Sequence, residues 1–144
     1  MSHTYTLNLL HVVFSTKSRA PLIRNVESLI KNLRGIARNK NIDVLAGGGT
    51  QDHVHLLLRV PPVRPLSEAM RDLKANSSRY MSETLGHFAW QDGYAAISVS
   101  PSQVNAVRAY IHDQERHHAK RTYEQELMTL LDRSGVPYER EHLL

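Results

Sequence analysis

At 144 residues and 16.4 kDa, with 41% hydrophobic and 22% charged residues, the chain has the size and composition of one folded domain, read as residues 1–144, and not of a disordered segment. It has no cysteine, which excludes disulfides and thiolate zinc sites, and the polar stretch Met1–Thr6 with no apolar run near the ~20 residues of a membrane span predicts a cytoplasmic protein that is neither exported nor membrane-bound. A net charge of +4 and a pI near 9.6 lean modestly toward polyanionic partners.

The first predicted element is a strand over Tyr5–Thr16. Leu7, Leu9, His11 and Val13 alternate with Asn8, Leu10, Val12 and Phe14, so both faces are largely apolar and the strand should be central. Lys17, Arg19 and Arg24 surround a turn at Ala20-Pro21. A helix over Glu27–Asn39 follows, with Leu29, Ile30, Leu33, Ile36 and Ala37 on one stripe. Ile42–Ala46 reads as a short strand, and Gly47-Gly48-Gly49 as the turn of a hairpin. No Gly-Lys-Ser/Thr and no helix follow these glycines, which argues against a phosphate cradle.

The strand after the glycines is Asp52-His53-Val54-His55-Leu56-Leu57-Leu58. Alternation puts Val54, Leu56, Leu58 and Val60 on a core face and His53, His55, Leu57 and Arg59 on the other. The two imidazoles stand about 7 Å apart along the strand and can turn toward one metal ion. A pair of packed histidines is the competing reading. Val60-Pro61-Pro62-Val63-Arg64-Pro65 ends the strand, because proline cannot donate to a ladder.

Ser67 is placed to cap a helix running to Thr84, stopped by Gly86. Trp90–Ser100 reads as a fourth strand, Gln103–Lys120 as a third helix and Tyr123–Arg133 as a fourth, with a tail from Gly135-Val136-Pro137. The order β-α-β-β-α-β plus two helices predicts an α+β, ferredoxin-like antiparallel sheet with C-terminal helices, the first of which carries Tyr110. The histidines should look toward the face left open by the two earlier helices, with the third helix over or near it. On that helix Tyr110 and Gln114 share a face with Val107 and His117, while Val104 and Ile111 form an anchoring stripe. Taken alone, the tyrosine reads as packing and the glutamine as a solvated neighbour. His112, His117 and His118 read as surface or polyanion-facing, and His11 as a packed histidine in the sheet.

Taken together, these stretches resemble the single-tyrosine (Y1) transposases of the IS200/IS605 type, within the HUH endonuclease superfamily. The resemblance runs through His11-Val12-Val13-Phe14-Ser15-Thr16-Lys17-Ser18-Arg19, Asp52-His53-Val54-His55-Leu56-Leu57, Trp90-Gln91-Asp92-Gly93-Tyr94 with Ser98-Val99-Ser100, and Tyr110-Ile111-His112-Asp113-Gln114 on to His117-His118. It implies that His53, His55 and Gln114 hold Mg2+ or Mn2+ and that Tyr110 is the nucleophile. Single-stranded DNA with hairpin ends would be cut and rejoined through a 5′-phosphotyrosine. It also implies a homodimer with composite active sites, and leaves open whether Tyr110 acts in cis or in trans.

The chemistry is consistent with those roles. A phenol with a pKa near 10 needs help at neutral pH, and a cation on the scissile phosphate supplies it. A covalent phosphotyrosine conserves the phosphodiester bond, so no P-loop is needed. Imidazoles alone would suit zinc, whereas an amide oxygen with phosphate oxygens suits Mg2+ or Mn2+. No fourth protein ligand for a closed structural site is apparent. Lys17, Arg19, Arg59, Lys74 and Arg79 are the candidate DNA-binding cations. Aromatic content is only 6%, so recognition of a hairpin and a few guide bases is expected, rather than a long stacking platform. The alternatives are a domesticated repeat-associated relative with the same chemistry, a non-catalytic DNA-hairpin-binding protein, and a generic metal phosphohydrolase.

Overall fold

In the computed structural model, which describes residues 3–143, strand β1 (Leu9–Ser15) is buried along its whole length, as its two apolar faces require. It lies between β3 (His53–Arg59) and β4 (Ala95–Ser98), and β2 (Asp43–Gly49) pairs with the far side of β3. The order is β2-β3-β1-β4 with every neighbour antiparallel, the predicted ferredoxin-like sheet. β1 begins at Leu9 and not at Tyr5. Leu9 pairs with Arg59, and beyond Val60 the prolines of the partner strand end the ladder, leaving Tyr5 and Leu7 exposed.

Helices α1 (Val26–Arg38) and α2 (Leu66–Leu85) pack on one face. Leu29, Leu33, Met70 and Leu73 meet Val12, Phe14, Val54, Leu56 and Leu58 in the main core. The Asn25 side chain caps α1 by accepting from the Ser28 amide. α2 starts beyond Pro65, so Ser67 lies inside it and not at its cap, and Gly86 ends it at a φ of 77°. β4 is shorter than expected, because Trp90 only bridges to Thr16 and the ladder resumes at Ala95. The Lys74 ammonium holds the intervening loop by donating to the carbonyls of Gln91 and Gly93, each at 2.7 Å.

The glycines do not form a turn. Gly47, Gly48 and Gly49 are the end of β2, paired with Leu56, His55 and Val54, and the turn falls at residues 50–52. Backbone approach explains them: a Cβ on Gly48 would lie 2.2 Å from the carbonyl oxygen of Ile111, in helix α3 (Val104–His112).

The predicted third helix breaks at Asp113, which leaves the helical basin at φ −107° and ψ 29°. The chain continues as α4 (Gln114–His118) and, after a Thr122/Gln125 capping box, as α5 (Tyr123–Ser134). These helices cover the second face of the sheet. Ile111 packs on Ala46 and Leu57, while Tyr123, Leu127 and Leu131 pack on Val13. The histidine face is thus roofed by the chain's own C-terminal helices. Among the described residues no helix is long and apolar enough to cross a membrane.

Candidate active site

Register places the histidines. His55 pairs with Val13, His53 with Ser15 and Leu57 with His11, so all three imidazoles share one face of the two central strands. His53 and His55 are wholly buried there, with ring centroids 5.2 Å apart. Each ring has its outer nitrogen engaged and its inner nitrogen aimed at a common point. His53 Nδ1 lies 2.8 Å from an Asp52 carboxylate oxygen and 3.0 Å from the Thr50 hydroxyl, which leaves Nε2 facing inward. His55 Nδ1 lies 2.8 Å from His11 Nε2, and its own Nε2 faces the same centre. A carboxylate or a second polar group behind a histidine is the arrangement that fixes a metal-binding tautomer.

Gln114 is brought to this centre, with Oε1 3.2 Å from His53 Nε2 and the side chain 2% exposed. It follows directly on the break at Asp113. Tyr110 is brought there as well, from the same chain. Its ring lies edge-on to His55 at 5.9 Å, His117 stacks on it at 4.4 Å, and the Arg121 guanidinium donates to its hydroxyl at 3.2 Å.

The residue that sequence reasoning missed is Glu126. Its carboxylate is 2% exposed, lies 2.9 Å from His55 Nε2 and 3.0 Å from His118 Nε2, and accepts from the Tyr110 hydroxyl. His53, His55 and Glu126 offer ligand atoms that all lie within 4.8 Å of one another. A signal was present: Tyr123, Leu127 and Leu131 make the apolar stripe of α5, and Glu126 is a carboxylate on that buried side. His118, expected at the surface, turns inward against His53 at 4.5 Å and Glu126. His117 is half-buried on Tyr110, while His112 is exposed. A further donor that the sequence does not make apparent, Glu126, is carried beside the two histidines by the fold-back of α5.

Electrostatics follow from burial and from these partners. Burial drives His11 down to about 3 and His55 below its usual range, the nearby carboxylate of Glu126 notwithstanding. Burial disfavours the charged His53 ring too, but hydrogen bonds to Asp52 and Glu126 outweigh it and hold this imidazole above its usual value. Glu126 is held far below the carboxylate range by the histidines despite its burial. Burial, then Glu126, pushes the Tyr110 phenol up from 10, with Arg121 opposing.

The five candidate cations are scattered. Arg19 lies over the Tyr123 ring at 5.9 Å and lines a cleft of about 1190 Å3 with Arg24, Lys120 and Arg121, against Asp52 and His118. Lys17 is exposed on the same turn. Arg59 is paired with Asp43 at the end of β3 away from the histidines. Lys74 and Arg79 belong to α2, on the opposite face of the sheet.

Residues 4–114 match the protein family described as "Transposase IS200 like". The ISDra2 transposase TnpA of Deinococcus radiodurans is 29% identical over 118 residues, 73% of this chain and 84% of that protein. The transposase for insertion sequence element IS200 of Salmonella typhimurium is 33% identical over 91 residues, 60% of this chain and 58% of that one. Among solved structures, a protein of Deinococcus radiodurans R1 provisionally named as a transposase superposes with a TM-score of 0.63 at 25% identity, over 79% of this chain and 96% of that one. A REP-associated tyrosine transposase bound to a REP hairpin superposes at 0.61 over 82% and 73%; at 14% identity that likeness concerns the fold.

Proposed function

The chain belongs to the IS200-like transposase family, and from that premise we propose that it cuts and rejoins single-stranded DNA at the ends of a mobile element, with Tyr110 as nucleophile. The observation that carries this reading is the meeting, within one chain, of the Tyr110 phenol and the inward nitrogens of His53 and His55. The donor set fits a divalent cation: two imidazole nitrogens whose outer edges are already engaged, and the Gln114 amide oxygen beside them. His53, His55 and Gln114 would hold Mg2+ or Mn2+, which when bound supplies Lewis-acid stabilisation of the phosphate and the departing oxygen.

The chain's own groups account for the rest. His117 and Arg121 fix the Tyr110 ring and hydroxyl, and the helices α3–α5 leave the phenol half-buried, open to a strand from one side. The phenol oxygen bonds to phosphorus and loses its proton. The bond to the 3′ oxygen breaks, leaving a 5′-phosphotyrosine and a 3′ hydroxyl that takes up a proton. Reversal with a different 3′ hydroxyl rejoins DNA without an external energy source. The basic cleft beside Asp52 and His118 is the proposed entry for the strand, with Lys17 and Arg19 at its edge. A hairpin-ended strand is the proposed partner.

Incubation of the protein with hairpin-ended single-stranded DNA and Mn2+ should give a covalent adduct on a denaturing gel, lost in Tyr110→Phe. An equal adduct from Tyr110→Phe refutes the assignment, and tight hairpin binding in EDTA with no nicking under any metal condition makes the protein a binder only. Two copies with composite sites are the resemblance's implication, while the geometry supports a complete site in each chain. Mixing Tyr110→Phe with His55→Ala decides between them, because restored adduct formation requires exchange between subunits.

A further inference from the structure

We propose that Glu126, on α5, is a ligand of the divalent cation and also docks the nucleophile, one carboxylate oxygen on the ion and the other on the Tyr110 hydroxyl. This inference rests on the metal-assisted reading above and adds an element to it, since α5 lies beyond residue 114, where the family match ends.

The geometry argues for it directly. Glu126 Oε1 lies 2.9 Å from His55 Nε2 and 3.5 Å from His53 Nε2, and the Gln114 oxygen lies 3.2 Å from His53 Nε2. Ligands held at about 2.1 Å on one octahedral ion sit roughly 3 Å apart, so these separations match neighbouring ligands around a single centre. An ion resting on both imidazoles would therefore have this carboxylate beside it. Charge points the same way. Two neutral imidazoles and an amide bring no negative charge to a buried dication, whereas hard cations favour anionic oxygen. The carboxylate is 2% exposed, and no Lys or Arg is within ion-pair distance of it among the described residues. The second oxygen accepts the phenol hydrogen of Tyr110, so one side chain spans the cation and the attacking group. An octahedral ion held by His53, His55, Gln114 and Glu126 would have two positions left for oxygens of the substrate.

The test is calorimetric titration of Mn2+ into the full-length, metal-free chain without DNA. Glu126→Gln keeps the shape and removes the charge, and should weaken Mn2+ binding by about 10- to 100-fold, the loss seen when even outer partners of ligands are removed. Glu126→Asp should recover part of it, and Tyr110→Phe should stay within twofold of the unaltered chain. Affinity within twofold of wild type for Glu126→Gln overturns the ligand role. At saturating Mn2+, the adduct rate of Glu126→Gln should remain at least tenfold low with DNA affinity unchanged; full recovery overturns the docking role. Should Glu126→Gln fail to fold, a manganese-soaked crystal of the unaltered chain decides. Manganese within about 2.3 Å of a Glu126 oxygen is expected, and more than about 4 Å away overturns the assignment. Because the titration contains no DNA, Glu126 can hold the ion even where Tyr110→Phe shows that another group attacks.

Discussion

Replacing Gly48 with alanine tests whether the contact between β2 and α3 sets the geometry of the site. The added Cβ would stand 2.2 Å from the Ile111 carbonyl oxygen and 3.1 Å from its carbonyl carbon. Ordinary contact begins near 3.4 Å, so one backbone must retreat from the other by about 1.2 Å. Both partners are main chain in regular structure, and neither has a rotamer to change. Ile111 sits between Tyr110 and Gln114, hence the retreat carries the proposed nucleophile and the proposed amide ligand away from His53 and His55 together. Overpacking of this kind costs about 1–3 kcal/mol of stability. A shift on the order of 1 Å in a reacting group costs about 100-fold in rate. The single tryptophan, Trp90, is buried against Phe14 and Phe88, and its fluorescence follows urea unfolding. Adduct formation on single-stranded DNA reads the second effect. Gly35→Ala is the control, because a Cβ there meets nothing within 4 Å; in the middle of α1 it should raise stability by up to about 1 kcal/mol. Wild-type stability and adduct rate in Gly48→Ala would refute the reasoning.

The remaining predictions concern protonation and charge. Because His11 is buried neutral at about 3 while its unfolded value is near 6.5, the unfolded chain binds a proton that the folded chain refuses. Its contribution to stability is therefore complete above about pH 6.5 and declines as pH falls toward 3, by up to about 1.4 kcal/mol per pH unit. His53, held above its usual value, acts in the opposite sense: its contribution is complete below about pH 6.5 and is lost as pH rises through the folded value. Urea midpoints measured in EDTA between pH 6.5 and 5 should fall with pH, and less steeply in His11→Gln; equal slopes would remove His11 as the cause. Lys74→Met should lower stability by about 1–3 kcal/mol, since the Gln91 and Gly93 carbonyls lose their donor, and should leave the salt dependence of DNA binding unchanged. Arg19→Ala should instead reduce the slope of log affinity against log salt by about 0.7. A salt slope altered equally by both would show that Lys74 meets the DNA as well, despite its engagement with the Gln91 and Gly93 carbonyls.

Much of the architecture was legible because it depends on alternation. The two-residue period of Leu9–Phe14 and of His53–Val60 assigned the faces of both central strands correctly, since a one-residue slip would bury charge. By sequence alone the glycine run reads as a turn, because glycine is a turn former by itself. Only the carbonyl of a helix more than sixty residues later makes it a strand residue. By sequence alone the third helix reads as continuous, because nothing local forbids Asp113 from being helical. The departure falls immediately before Gln114, which is buried against the sheet.

The sequence by itself determined which side chains could form a site: a His-x-His pair on one strand face and a tyrosine four residues before a glutamine. Those are short-range facts, fixed by backbone periods of two and about 3.6 residues. Only the tertiary structure decided that the phenol reaches the imidazoles of its own chain, that Asp52 and His11 stand behind the two rings, and that Glu126 sits among them. Those contacts join residues up to 73 positions apart, His53 and Glu126, and no local period encodes the fold-back of one helix over a sheet. It is driven by burial of Tyr123, Leu127 and Leu131, and the carboxylate on the same stripe is carried in with them.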